Sequence, residues 1–156
     1  MTDNHRAAMM LVVDTTAFPA EPGTYLLVLA CQASVTLSVG SLGQVVLSPG
    51  RYAYIGSAHG PGGLRGRLAR HVRASKPLRW HVDYLTAAVP VVHIYYRALP
   101  APLECRWAQA LARLPGASTP APGFGSSDCR NGCAAHLVRL PCTLEIQRLE
   151  EMLADA

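Results

Sequence analysis

The chain has 156 residues, half of them hydrophobic, with 14 Lys and Arg against 10 Asp and Glu, a net charge of +4 and a pI near 9.0. That length supports one domain with a substantial core and leaves little room for a second, and the modest positive charge favours anionic partners. Five cysteines, an odd number without regular spacing, argue against a disulfide scaffold and for a reducing compartment, so a cytoplasmic location is expected.

Residues 1–22 are expected to be an N-terminal leader that adds a strand or frays. Their apolar patch, Ala7 to Val13, is interrupted by Asp14 and is too short to span a bilayer, so no membrane partner is expected. Gly23 to Ala30 is a continuous apolar run and predicts a buried strand. Between Ala30 and Gly50 the segments VTLSVG and QVVLSPG flank Ser41-Leu42-Gly43, which predicts a β-hairpin. Arg51 to Ile55 alternates and predicts a second core strand, and Gly56 to Gly63 is too rich in Gly and Pro to continue it. From Leu64 the apolar positions Leu64, Leu68 and Val72 recur every fourth residue, which predicts a helix with Arg67 and His71 along one flank of the buried stripe.

Charge is distributed unevenly. Seven of the fourteen basic residues, Arg51, Arg65, Arg67, Arg70, Arg73, Lys76 and Arg79, fall between positions 51 and 79, and no Asp or Glu occurs from Pro22 to Val82. A solvated helix surface is the bland explanation, but such surfaces normally interleave both signs. Arginine's planar fork suits bidentate contact with phosphate, so Arg65, Arg70, Arg73, Lys76 and Arg79 are candidate nucleic-acid contacts.

Ala74 to Pro77 breaks the chain, and Leu78 to Val89 predicts a short helix that Trp80 and Tyr84, four apart, help to pack down. His81 within it is either structural or a phosphate donor, proton carrier or metal ligand. Val91 to Arg97, dense in β-branched and aromatic residues, predicts a strand central in a sheet. Leu103 to Leu114 predicts a helix with Leu103, Trp107, Ala110, Leu111 and Leu114 on its inner side. Glu104 lies in its first turn, where the helix dipole alone favours an acid. It is also one of only three acids between Pro22 and Thr143, with Asp83 and Asp128, that could serve a hard divalent cation. A long Pro/Gly/Ser-rich loop, Pro115 to Gly125, leads into Ser126-Ser127-Asp128-Cys129. Cys129, Cys133 and His136, with Cys142 nearby, are read either as a zinc site or as ordinary buried thiols. Ala134 to Leu140 predicts a last strand, and residues 142–156 an amphipathic helix that packs or meets a partner.

Several of these segments together resemble the GIY-YIG nuclease superfamily. Its first signature stands here as Gly23-Thr24-Tyr25 and its second as Tyr54-Ile55-Gly56, and Leu64-x-x-Arg67-Leu68-x-x-His71 looks like its arginine helix. The resemblance runs roughly from Gly23 to Arg113. It is closest to an uncharacterised domain-of-unknown-function branch with WHxDYL and GFGSSDC segments, here Trp80 to Leu85 and Gly123 to Cys129. The chain departs in its inserted hairpin, in Thr24 where isoleucine is usual, and in lacking a clear asparagine after the glutamate helix. Either the late Ser-Ser-Asp segment takes over the role of that asparagine or the chemistry has drifted from the superfamily's.

The resemblance implies an α+β fold, a small antiparallel or mixed central sheet flanked by helices, with residues 23–141 as the catalytic domain. It implies a metal-dependent endonuclease acting on DNA, in repair or defence, as a monomer or homodimer. In that mechanism Glu104 binds Mg2+ or Mn2+, Arg67 clamps the phosphate, and Tyr25 is the base or water-positioner. Tyr54 and His71 orient phosphate or relay the proton, and His81 and Ser127 lie at the nucleic-acid margin. The alternative is a nucleic-acid-binding module that keeps the scaffold without cutting.

Overall fold

The computed structural model describes residues 14–127 and 129–156. The apolar patch Ala7 to Val13 and the acid Asp128 therefore lie outside the described residues. A four-stranded antiparallel sheet in the order β5-β1-β4-β6 forms the centre, built from β1 (Gly23–Cys31), β4 (Gly50–Ala58), β5 (Val91–Arg97) and β6 (Leu137–Arg139). The inserted segment forms its own two-stranded sheet, β2 (Val35–Val39) with β3 (Gly43–Leu47), turning through Gly40–Leu42. Among the described residues four α-helices complete the α+β fold: α1 (Gly63–Val72), α2 (His81–Ala88), α3 (Glu104–Ala112) and α4 (Ile146–Asp155).

β1 is apolar almost throughout because both of its faces are covered. Leu27 and Leu29 point into a core shared with Tyr52, Leu64, Leu68, Leu85 and the hairpin residues Val39 and Leu47. Leu26 and Val28 point into the opposite core, with Ile55, Trp107, Leu111, Leu149 and Leu153. Side chains alternate across a strand, so a single sheet serves both layers, α1, α2 and the hairpin on one side and α3 and α4 on the other.

Three expectations change. Val91–Arg97 is an edge strand, not a central one: among the described residues it pairs only with β1, and its aromatics cover neighbouring elements instead. Tyr95 lies 5.5 Å from the Trp107 ring and Tyr96 meets Phe18 edge-on at 5.7 Å. Trp80 does not pack α2 down; it precedes the helix as its N-cap residue and is 39% exposed. The described part of the leader adds no strand. Thr15–Ala17 is a single 3-10 turn, Phe18 is buried, and the carbonyls of Pro19 and Glu21 accept the N–H groups of Arg65 and Leu64. Those acceptors satisfy donors that every helix start leaves open, so the first turn of α1 does not offer these N–H groups to a phosphate.

Candidate active site

β1 and β4 pair with Tyr25 opposite Gly56 and Leu27 opposite Tyr54. The two tyrosines are thus diagonal neighbours on one face, their ring centroids 6.4 Å apart. Gly56 makes this possible. A Cβ built there would lie 2.3 Å from both Cζ and Oη of Tyr25, so the Tyr25 ring rests directly on bare backbone. Gly125 does the same for Tyr54: its φ of +69° suits glycine, and a Cβ would come within 2.9 Å of Cε2.

A cleft of about 310 Å3 is lined by Tyr25, Tyr54, Ser57, Arg67, Arg79, Trp80, His81, Glu104, Gly125, Ser127 and Cys129. Tyr25, Tyr54, Arg67 and Glu104, expected as catalytic, meet here from four separate elements. His71 stands one layer deeper. It is 2% exposed and its Nε2 lies 2.6 Å from the Tyr25 hydroxyl, behind the cleft wall. Burial, then the cations of Lys76 and Arg67, push the His71 pKa down to about 3, so the ring is neutral near pH 7. The Tyr25 hydroxyl therefore donates to Nε2, and the ring proton sits on Nδ1, which is buried without a hydrogen-bond partner among the described residues. Burial pushes the Tyr25 phenol well above its ordinary pKa, the Tyr54 phenol adds to that, and Arg67 only partly opposes it. Tyr54 is likewise raised, by burial and then by the charge of Glu104. Both phenols are donors at neutral pH, not phenolates.

The basic residues divide into structural and available groups. The Arg67 guanidinium lies over the Trp80 ring at 4.3 Å and Arg70 lies over it at 4.6 Å. Arg70 also pairs with Asp83 at 2.8 Å and donates to the Pro77 carbonyl. Asp83 is fully buried, and its Oδ2 further accepts the backbone N–H groups of Arg79 and Trp80, both at 2.9 Å. Burial pushes the Asp83 carboxyl up, but these three donors outweigh it and hold the pKa below its ordinary value. Lys76 donates to the carbonyls of Arg70, His71 and Arg73 at the end of α1, and Arg65 Nε donates to the Phe18 carbonyl at 2.8 Å. Arg67 and Arg79 open on the cleft and Arg73 is exposed, whereas Arg65, Arg70 and Lys76 have structural partners. His81 Nδ1 accepts the Gly125 N–H at 2.9 Å, which leaves Nε2 as the donor of the neutral ring at the cleft wall. Ser57, absent from the sequence-derived candidates, also lines the cleft; it lies three residues beyond Tyr54, and only the strand's continuation to Ala58 carries it there.

Glu104, the first residue of α3, contacts His136 Nδ1 through Oε1 at 2.9 Å. The contact lies off the direction of the ring N–H, so it is a close approach and not an aligned hydrogen bond. Beyond His136 is a cluster that sequence spacing described only in part. Cys105, Cys129, Cys133 and His136 bring their ligand atoms within 4.8 Å of one another, close enough for one metal ion to span. Cys142 is exposed and is not part of it; Cys105, from the first turn of α3, takes that place.

A second cavity, about 260 Å3, lies on the far side of His71 between the end of α1, α2 and the start of β5, and no carboxylate or thiol lines it. Among the described residues no helix is long and apolar enough to cross a membrane.

These features define an α+β domain with a basic cleft, walled by tyrosines and arginines around Glu104, the one carboxylate that lines it among the described residues. A family model described as a domain of unknown function, DUF123, matches residues 24–155, and the chain belongs to that family. No curated protein and no solved structure matches it.

Proposed function

We propose that this chain is a divalent-metal-dependent endonuclease of the GIY-YIG type that hydrolyses phosphodiester bonds in DNA. The observation that carries the proposal is the convergence of Tyr25 from β1, Tyr54 from β4, Arg67 from α1 and Glu104 from α3 on one cleft. Phosphodiester hydrolysis needs a positioned water, relief of charge at phosphorus and a stabilised leaving oxygen.

Glu104 fits a Mg2+ or Mn2+ ion. It is 24% exposed, its Oε2 is engaged by none of the described residues, and such ions take one or two carboxylates and fill the rest of their shell with water and phosphate. When bound there, the ion supplies neutralisation of charge on the phosphate and the leaving oxygen. Arg67 clamps a non-bridging oxygen with its fork, and its stacking on Trp80 fixes the plane of that fork.

Tyr25 acts as a relay, since its raised pKa disfavours a standing phenolate. Its oxygen accepts a proton from the attacking water as its own proton passes to His71 Nε2, the group it already contacts. An anionic phosphate arriving beside Arg67 offsets part of the cationic field that depresses His71, which makes that transfer easier when substrate is bound. Tyr54 and His81 Nε2 donate to phosphate oxygens at the cleft wall, and Arg79 and Arg73 add diffuse attraction to the backbone.

A non-catalytic nucleic-acid-binding module is the second reading. It is favoured by one observation, that Glu104 spends one oxygen on His136. Incubation of the protein with labelled duplex, flap, junction and single-stranded DNA in Mg2+ or Mn2+ separates the two. Cleavage that disappears in Arg67→Ala supports the nuclease, and salt-sensitive binding without cleavage supports the module.

A further inference from the structure

We propose that Cys105, Cys129, Cys133 and His136 bind one zinc ion, which fastens the loop after Phe124 to the first turn of α3 beside the cleft. The claim concerns a metal distinct from the one assigned to Glu104 and does not depend on the cleavage reading. Three cysteines and one histidine make a recurrent structural zinc set, and Zn–S bonds of about 2.3 Å in a tetrahedron place sulfurs roughly 3.8 Å apart. Here Cys105 Sγ lies 3.4 Å from Cys129 Sγ and 3.9 Å from His136 Nε2. These two distances are close to the spacing that one zinc ion imposes, all four ligand atoms lie within 4.8 Å of one another, and the histidine presents its Nε2 to Cys105.

The surroundings suit thiolates. The Asn131 backbone N–H points to Cys129 Sγ at 3.4 Å, its side-chain Nδ2 to Cys105 Sγ at 3.3 Å, and Gln109 Nε2 to Cys133 Sγ at 3.7 Å. Three N–H groups aimed at three sulfurs stabilise negative charge there, as expected of the shell around metal-bound cysteines. Neutral thiols would be only weak acceptors for these donors.

The ligands come from distant parts of the chain. Cys105 sits one residue after Glu104 on α3, and the other three follow the Gly123 to Ser127 segment that walls the cleft. With Nε2 on the metal, His136 must carry its proton on Nδ1, which faces Glu104 Oε1. A zinc ion here would therefore fix the tautomer beside Glu104 and hold Gly125 and Ser127 against the cleft.

The test is elemental analysis of the purified chain, followed by reconstitution of the reduced apoprotein with Co2+ as a spectroscopic probe. The proposal expects one zinc per chain, and one cobalt per chain giving thiolate charge-transfer and tetrahedral ligand-field bands. Those bands should be lost in Cys105→Ser and Cys133→Ser and kept in Cys142→Ser, and Glu104→Ala should weaken zinc affinity about tenfold by chelator competition. If the serine variants do not fold, the wild-type cobalt titration decides alone. An endpoint of one cobalt with thiolate bands supports the site; no thiolate bands at excess cobalt overturns it. A Cys105–Cys129 disulfide in protein purified anaerobically, seen as a mass deficit of two hydrogen atoms, would also overturn it.

Discussion

Replacing Asp83 tests how the cleft's arginine wall is held. Its Oδ2 takes three donors at once, the Arg70 guanidinium and the N–H groups of Arg79 and Trp80, and it is fully buried. In Asp83→Ala the N–H groups of Arg79 and Trp80 lose this acceptor, and Arg70 loses its counter-charge and keeps the Pro77 carbonyl. Removing one partner of a buried pair costs roughly 3–5 kcal/mol, and because Arg70 keeps 17% exposure the lower end applies, about 3 kcal/mol. Asp83→Asn keeps an oxygen for the two backbone donors and loses only the charge, so about 1.5–2 kcal/mol is expected. Urea unfolding followed by tryptophan fluorescence measures both. The order should be wild type, then Asn, then Ala, with Arg67 and Trp80 less well fixed in either variant. A loss below about 1 kcal/mol in Asp83→Ala would refute the view that this carboxylate organises the wall.

Two further outcomes follow from the Tyr25 environment. His71 has its pKa depressed from 6.5 to about 3, so below pH 6.5 the unfolded chain takes up a proton that the native state refuses, and stability falls as pH drops toward 3. By pH 5 this group alone should remove about 2 kcal/mol relative to pH 7.5, a component that His71→Gln abolishes; equal pH slopes in the two proteins would contradict the buried neutral histidine. Gly56→Ala forces a methyl into the Tyr25 ring, where overpacking typically costs about 1–3 kcal/mol and the Tyr25–His71 contact must shift. A stable variant with unchanged tyrosine fluorescence and thermal midpoint would count against that close approach.

Much of the scaffold was legible because each element carries a local pattern. The apolar run of Gly23 to Ala30, the four-residue recurrence of Leu64 and Leu68, and the Trp107 and Leu111 stripe each stand where a buried face occurs. The hairpin was legible from its alternation around a glycine turn. What escaped depends on contacts far apart in sequence. The acid-free stretch around Arg70 conceals its pairing with Asp83, thirteen residues on, which removes that arginine from the free basic face. Cys105 gave no spacing signal, being 24 residues before Cys129, and only docking of the late loop on α3 brings the two together. The edge position of β5 was hidden for a related reason: its aromatics look like a central strand's but pack onto Phe18 and Trp107. The capping of α1 by residues 19 and 21 has no local signature either.

The proposal that this cleft cuts DNA is tested most directly by single-turnover cleavage of the labelled DNA panel in Mg2+ or Mn2+, with wild type and Glu104→Gln compared at equal DNA binding and equal zinc content. Glu104→Gln keeps the shape of the side chain and removes the charge that a hard cation requires. The account predicts metal-dependent cleavage by wild type on at least one substrate and a loss of two or more orders of magnitude in the variant, with binding retained. Cleavage at an unchanged rate in Glu104→Gln would remove this carboxylate from the reaction, and no cleavage by wild type on any substrate would contradict the nuclease assignment itself.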